Sequence, residues 1–287
     1  MTVVEIRAPG PFATVQDLGR PGYAHLGVPR SGAADRGALR LANRLVGNAE
    51  GLACIETTLG GLRLRAVDEV LVAVSGAVAD VARNGIPYGR NAAMPLSAGD
   101  ELSIGATTSG LRNYVAIRGG IDIEPVLGSR STDTLAKLGP PALTAGTRLP
   151  IGAHDNSWPA IGAAPVDDHL PDVVVLDATD GPRTDRIENL ADLFTTTWVV
   201  NTDSNRVGVR LDCRDSASVR TRADVGELAS EGIAHGSIQL PPSGQPVIFL
   251  ADHPVTGGYP VVAVLSARSL DRAGQLAPGN VVRLRRG

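Results

Sequence analysis

Ala98-Gly99-Asp100-Glu101-Leu102-Ser103-Ile104 opens on a glycine turn and continues into alternating apolar and polar side chains. Glycine followed by a short polar residue suits a tight turn, and a period of two suits a strand with one buried face. The pattern returns in Ala145-Gly146-Thr147-Arg148-Leu149-Pro150-Ile151 and in Pro278-Gly279-Asn280-Val281-Val282-Arg283-Leu284. These segments read as hairpin entries into barrel or sandwich strands. Further strands are expected at Glu69–Val74, Tyr114–Arg118, Val173–Leu176, Thr197–Val200, Val247–Ala251 and Val261–Ser266, all rich in Val or Ile and bounded by Gly, Pro or Asp. The chain is predicted to be mainly β.

Composition agrees with that reading. Among 287 residues there are 34 Gly and 20 Pro, which demand frequent turns and therefore many short strands. The length suits two compact domains or one large β architecture. A formal charge of −3 supplies no broad positive field, so nucleic acid and acidic membrane surfaces are not expected partners. Glu5 and Arg7 fall where a secretory signal needs its apolar core, and the most apolar run, Val70–Ala82, is too short to cross a bilayer. A cytoplasmic location is expected. Cys54 and Cys213 form no CxxC pair and read as buried, unreactive thiols.

Two helices stand out. Ala38, Leu41, Ala42 and Leu45 follow helical spacing with Gly47-Asn48 as a stop, and Ile187, Leu190, Ala191 and Phe194 share a face behind an Asp185/Glu188 capping box. A third short turn is expected over Ser269–Leu276. The organisation read from these elements is an N-terminal β unit with a polar loop and helix over 1–152, a linker or excursion over 153–172 rich in Pro and Asp, and a C-terminal β-barrel unit over 173–287.

Lys137, the only lysine, lies in Leu-Ala-Lys-Leu-Gly, which excludes a Walker A loop and a biotin-carrier lysine. No G-x-S-x-G, HExxH, EF-hand or helix-opening G-x-G-x-x-G occurs, and no histidines fall at helical metal spacing, so no metal site is expected. Three polar, turn-rich segments are left as candidates. The first presents Gln16, Asp17, Arg20, Ser31 and Asp35 on a backbone bent by Gly and Pro; the same residue types serve equally as helix caps or internal pairs. The second presents Asn205, Arg206 and Arg210 around Gly208, fit for a carboxylate or phosphate, or alternatively a solvated turn before a strand. The third runs through Glu231 to Asp252-His253 and Thr256-Gly257-Gly258-Tyr259 at a strand end, where Asp252 or His253 is the expected general base, tuned towards neutral pH.

Taken together, Gln16-Asp17-Leu18-Gly19-Arg20-Pro21-Gly22, the run from Gly27-Val28-Pro29 to Gly47-Asn48, Gly119-Gly120-Ile121-Asp122 with Val126–Thr132, Ser204-Asn205-Arg206, Ser230-Glu231-Gly232, and Asp252-His253 with Thr256–Pro260 resemble the biotin-dependent carboxyltransferase family, also called allophanate hydrolase subunit 2, which includes KipA and the C-type subunit of 5-oxoprolinase. The resemblance implies linked cyclophilin-like β-barrels with two or three short helices. It also implies partners: a subunit 1 or KipI-like protein and a LamB/YcsF-type subunit, the assembly opening 5-oxo-L-proline to glutamate at the expense of ATP. In the alternative it implies carboxyl transfer from biotin to urea, or a KipA-like regulatory module. On this reading Arg20, Arg206 or Arg210 neutralises a substrate carboxylate or phosphorylated intermediate, and Asp252 or His253 moves a proton, with Glu231 beside them. Three positions, 183, 184 and 261, depart from the pattern the resemblance implies. Gly181-Pro182-Arg183-Thr184-Asp185 stands where Gly-Pro-Gln-Asp-Asp is expected, and Val261 stands where some members carry Lys. No biotin-attachment or carboxylase region is read in the sequence, which weighs against a complete urea carboxylase, and the 5-oxoprolinase C type is expected.

Overall fold

The computed structural model describes residues 2–154, 158–159, 161–167, 169–214 and 219–287. The chain divides into two compact units. Unit 1 comprises Met1–Arg20, Ser31–Asp133 and Lys137–His169, and unit 2 comprises Pro21–Arg30, Thr134–Ala136 and Leu170–Gly287.

Unit 1 carries strands β1 (Thr2–Pro9), β2 (Phe12–Gln16), β3 (Cys54–Thr58), β4 (Leu62–Ala66), β5 (Val70–Arg83), β6 (Ile86–Tyr88), β7 (Ala93–Leu96), β8 (Glu101–Ile117) and β9 (Arg148–Ile151), with helix α1 (Arg36–Leu45) between β2 and β3. They form one nine-stranded sheet, a half-barrel, in which β8 pairs with β3, β4 and β5. The apolar run at 70–77 is a strand buried on both faces. Val70, Val72 and Val74 enter the core with Ile55, Leu64 and Ile117, while Leu71 and Ala73 lie under α1 with Leu39, Ala42 and Leu45. That two-sided burial explains the continuous apolar stretch, and β5 extends past the predicted Val74 to Arg83. Asp35 caps α1 by accepting from Ala38 N at 2.9 Å.

Unit 2 holds β10 (Val173–Asp180), β11 (Trp198–Val200), β12 (Gly208–Cys213), β13 (Glu231–Gly232), β14 (Ser237–Gln239), β15 (Val247–Phe249), β16 (Thr256–Gly257), β17 (Val261–Leu265) and β18 (Val281–Arg286), with helices α2 (Ala191–Thr195) and α3 (Ala267–Ala273). Seven strands close a barrel in the order β10-β17-β14-β15-β12-β11-β18, and β13·β16 forms a separate two-stranded ribbon. Leu176, Trp198, Leu211, Ile238, Ile248, Val262 and Leu284 pack together in its core. Trp198 is fully buried and its indole N–H donates to Leu193 O, which seats α2. The linked-barrel architecture with three short helices is therefore met by one closed barrel and one half-barrel.

Three local expectations are corrected. The glycine turns at 99, 146 and 279 do lead into β8, β9 and β18, but not as hairpins. Each turn exchanges backbone hydrogen bonds with a strand remote in sequence: Gly99 N donates to Ala66 O, Gly146 N to Ile6 O and Gly279 N to Val200 O. The helix expected over 187–194 is shorter. Residues Thr184–Arg186 make a 3-10 turn without an Asp185 side-chain cap, Ile187 is extended and bridged to Thr221, and α2 begins only at Ala191. Burial of Ile187 through that bridge overrides its helical spacing. Cys54 is buried and burial pushes its thiol far up, whereas Cys213 is only partly buried. Of the stretch expected to link the two β units, residues 155–157, 160 and 168 lie outside the described residues, and Gly162 and Ala164 hydrogen-bond along 91–93 of unit 1. No helix among the described residues is long and apolar enough to cross a membrane.

Candidate functional site

In unit 1 the first predicted segment turns inward. Asp17 Oδ1 accepts from Gly19 N, Ser129 Oγ and Ser131 Oγ, and Oδ2 accepts from Arg130 N at 2.7 Å. Arg20, almost fully buried, donates from Nε to Val126 O and from Nη2 to Ser131 O, with Nη1 4.0 Å from Asp133. Gln16 Nε2 and Ser31 Oγ both donate to Thr132 O. These side chains hold segment 126–133 against the end of β2, since a carboxylate with four donors and a guanidinium on two carbonyls satisfy otherwise buried backbone groups. The expected Asp17–Arg20 pairing is replaced by this shared grip on the same loop.

In unit 2 the strand-end carboxylate is also engaged. Asp252 is fully buried; Arg206 Nε and Nη2 donate to its two oxygens at 2.9 and 3.1 Å, and Thr134 donates to Oδ2 from both N and Oγ1. Burial pushes its pKa up, but the Arg206 charge and the hydrogen bonds from Arg206 and Thr134 outweigh it, so the carboxyl is held below its ordinary range. For Asp252 this runs against a base tuned towards neutral pH, and Arg206 is a buried partner of Asp252, not a solvated turn residue. His253 is buried, with Nδ1 2.8 Å from Pro254 O and its ring stacked on His235 at 5.8 Å between centroids. Asn205 accepts from Val207 N, closing the turn before β12, and Arg210 on β12 is exposed.

A cavity of about 680 Å³ lies in unit 2. Arg186, Thr221, Arg222, Leu240 and Tyr259 are among its lining groups. Arg186 projects from the 3-10 turn and is steadied by Nη1 donating to Gly226 O; Arg222 is exposed and forks onto Asp224. Leu228, Leu240, Pro242 and Pro260 give an apolar lining, and Tyr259 is half exposed. Arg186, Arg222 and Glu227 bring charge of both signs to a lining that also holds these apolar groups and Tyr259.

Of the residues expected at the site, Gly258 and Tyr259 line this cavity, and Thr256 and Gly257 form β16 just before them. Glu231 lies on β13, paired with Gly257, and its carboxylate is gripped by Arg183. The Arg183 hydrogen bonds hold that carboxyl below its ordinary range, so Glu231 anchors the ribbon and is not poised to carry a proton at neutral pH. Arg186, Thr221, Arg222 and Leu228 were missed. The signal was present in Arg220-Thr221-Arg222-Ala223-Asp224-Val225-Gly226-Glu227, a charged stretch with no apolar period directly ahead of Ser230-Glu231-Gly232.

A family model described as carboxyltransferase domain, subdomain A and B, matches residues 26–286. The chain is 33% identical to the C-type subunit of 5-oxoprolinase from Escherichia coli over 283 residues, covering 96% of this chain and 88% of that protein. It is 35% identical to urea amidolyase of Lachancea kluyveri over 304 residues, covering 97% of this chain but 16% of that protein. Among solved structures, TTHA0988 superposes with a TM-score of 0.90 at 32% identity over 99% of this chain and 56% of that one, and the K. lactis urea amidolyase with 0.87 at 32% identity over 98% and 18%.

Proposed function

The chain belongs to the carboxyltransferase family of subdomains A and B, and from that premise we propose that it is the C-type subunit of an ATP-dependent 5-oxoprolinase-type complex, a non-autonomous part of a lactam hydrolase. The observation that carries the reading is the near full-length match to the E. coli protein, set against the small fraction of urea amidolyase that the chain spans. The pocket supports it. 5-Oxo-L-proline is a small ring bearing one carboxylate; Arg186 receives the carboxylate, while Leu240, Pro242 and Pro260 pack the ring and Tyr259 borders it.

The N-termini of α1 and α3 and the single lysine offer ATP no phosphate loop. The N-terminus of α1 is taken by the Asp35 carboxylate, which repels phosphate, and that of α3 by Ser266; the single lysine, Lys137, stands exposed outside any phosphate loop. No step is assigned to ATP on this chain, and its handling falls to a partner, the subunit 1 or KipI-like protein or the LamB/YcsF-type subunit. The task of this chain is then to bind and orient the lactam.

The test is reconstitution with those two partner types and measurement of ADP release with and without 5-oxo-L-proline. ADP release that requires the lactam supports the proposal. Release indifferent to it overturns the proposal; biotin-dependent bicarbonate incorporation into urea would then favour carboxyl transfer, and partner binding without turnover in either assay would favour a KipA-like regulatory module.

A further inference from the structure

Two arginines three residues apart fasten one arch of chain beside the 680 Å³ pocket. The arch begins where Ile187 bridges Thr221 and Arg222 N donates to Arg186 O, and it runs to β13. Arg186 Nη1 donates to Gly226 O within it, and Arg183 Nε and Nη2 hold the Glu231 carboxylate at its far end. Arg183 is itself fixed through its backbone, because its N–H donates to Val261 O and Gly181 N donates to Val262 O. A Cβ at residue 181 would lie 2.4 Å from Val261 O, so glycine alone permits that approach. On the other side Glu231 pairs with Gly257, and the chain passes directly into Gly258 and Tyr259 at the pocket, with Tyr259 O accepting from Gln239 Nε2 at 2.8 Å.

The geometry points to Arg183 and Glu231 as positioning residues that set the opening of this pocket, tying the wall that carries Arg186 to the ribbon that carries Gly258 and Tyr259. The inference rests on the reading that the pocket takes substrate. Both side chains are about a third exposed, 38% and 30%, so solvent screens their attraction and the value of the pair is geometric. A guanidinium fork on a carboxylate fixes orientation as well as distance. A glutamine at 183 would offer Glu231 an amide with no charge and no fork, whereas Arg183 supplies both.

Amide hydrogen exchange on the full chain tests the positioning without reference to activity. In Arg183→Met and in Glu231→Gln, exchange at 231–233 and 256–259 is expected to quicken about tenfold while β14, β15 and β17 keep their protection. The reversed pair, R183E with E231R, is expected to restore part of the lost protection. Unchanged exchange at those residues in both single variants overturns the inference, as does an equal loss throughout the barrel, which would mark a general structural role. In the reconstituted complex the single variants are expected to raise KM for 5-oxo-L-proline about tenfold with kcat within about twofold. A fall in kcat at constant KM overturns the positioning role. A wild-type complex without lactam-dependent turnover counts against the functional reading alone, and the exchange result then decides the positioning by itself.

Discussion

The Asp17–Arg20 cluster of unit 1 and the Arg183–Glu231 and Arg186 cluster of unit 2 are built from the same residue types and flanked by the same Gly- and Pro-rich turns, yet they do different work. Asp17 and Arg20 are buried, with hydrogen bonds to the segment 126–133. Arg183 and Glu231 are partly exposed and stand beside a cavity that Arg186 and Tyr259 line. Burial separates them: where water is excluded, polar groups are committed to satisfying buried backbone groups, and at the partly exposed cavity the Arg183–Glu231 pair is left to fix a wall. Asp252–Arg206 sits on the structural side of that division although it lies in the same unit as the pocket.

The division breaks most visibly at Asp252. Asp252→Ala strands the buried Arg206 charge, and a loss of about 3–5 kcal/mol is expected from urea unfolding at neutral pH. A loss under about 1 kcal/mol would place the pair with exposed ones. Because the folded-state pKa of Asp252 is depressed, its contribution is present above the ordinary carboxylate pKa of about 3.9 and is lost as pH falls through the lower folded value. The gap between wild type and Asp252→Asn is therefore expected to narrow on acidification below about pH 4, and a gap that widens there would contradict the assignment.

Asp17→Asn turns one acceptor into a donor facing Arg130 N or the serine hydroxyls, and about 2–3 kcal/mol of stability is expected to go, with lactam KM unchanged in the protein that stays folded. A raised KM would move that cluster to the ligand side of the comparison. Arg186→Met is expected to do the reverse, raising KM about tenfold while shifting the unfolding midpoint little. The smallest effect belongs to Asp35→Ala, which removes the α1 cap for about 1 kcal/mol in thermal or urea unfolding.

Much of this was readable in the residues. The alternation after Gly99, Gly146 and Gly279 located the starts of β8, β9 and β18, and the spacing from Ala38 to Leu45 located α1 with Asp35 among its possible caps. Strand partners were not readable, because a turn sequence fixes local φ and ψ but not which remote edge will receive its hydrogen bonds. The helix expected at 187–194 failed for a related reason: its periodicity was real, but the bridge from Ile187 to Thr221 buried the same side chain in an extended conformation.

By itself the sequence determined a mainly β chain, the polar segments from which any site must be drawn, and a motif set specific enough to indicate the family. Those follow from short-range rules of turn, period and residue type that hold wherever the segment lands. Only the tertiary structure decided which polar groups face each other and which face a cavity. Asp17 and Asp252 were withdrawn by donors 112 and 118 residues away, at Ser129 and Thr134, and Glu231 by Arg183, 48 residues away. The availability of a charged side chain is set by its solvation and its partners in space, and neither is written in its neighbours along the chain.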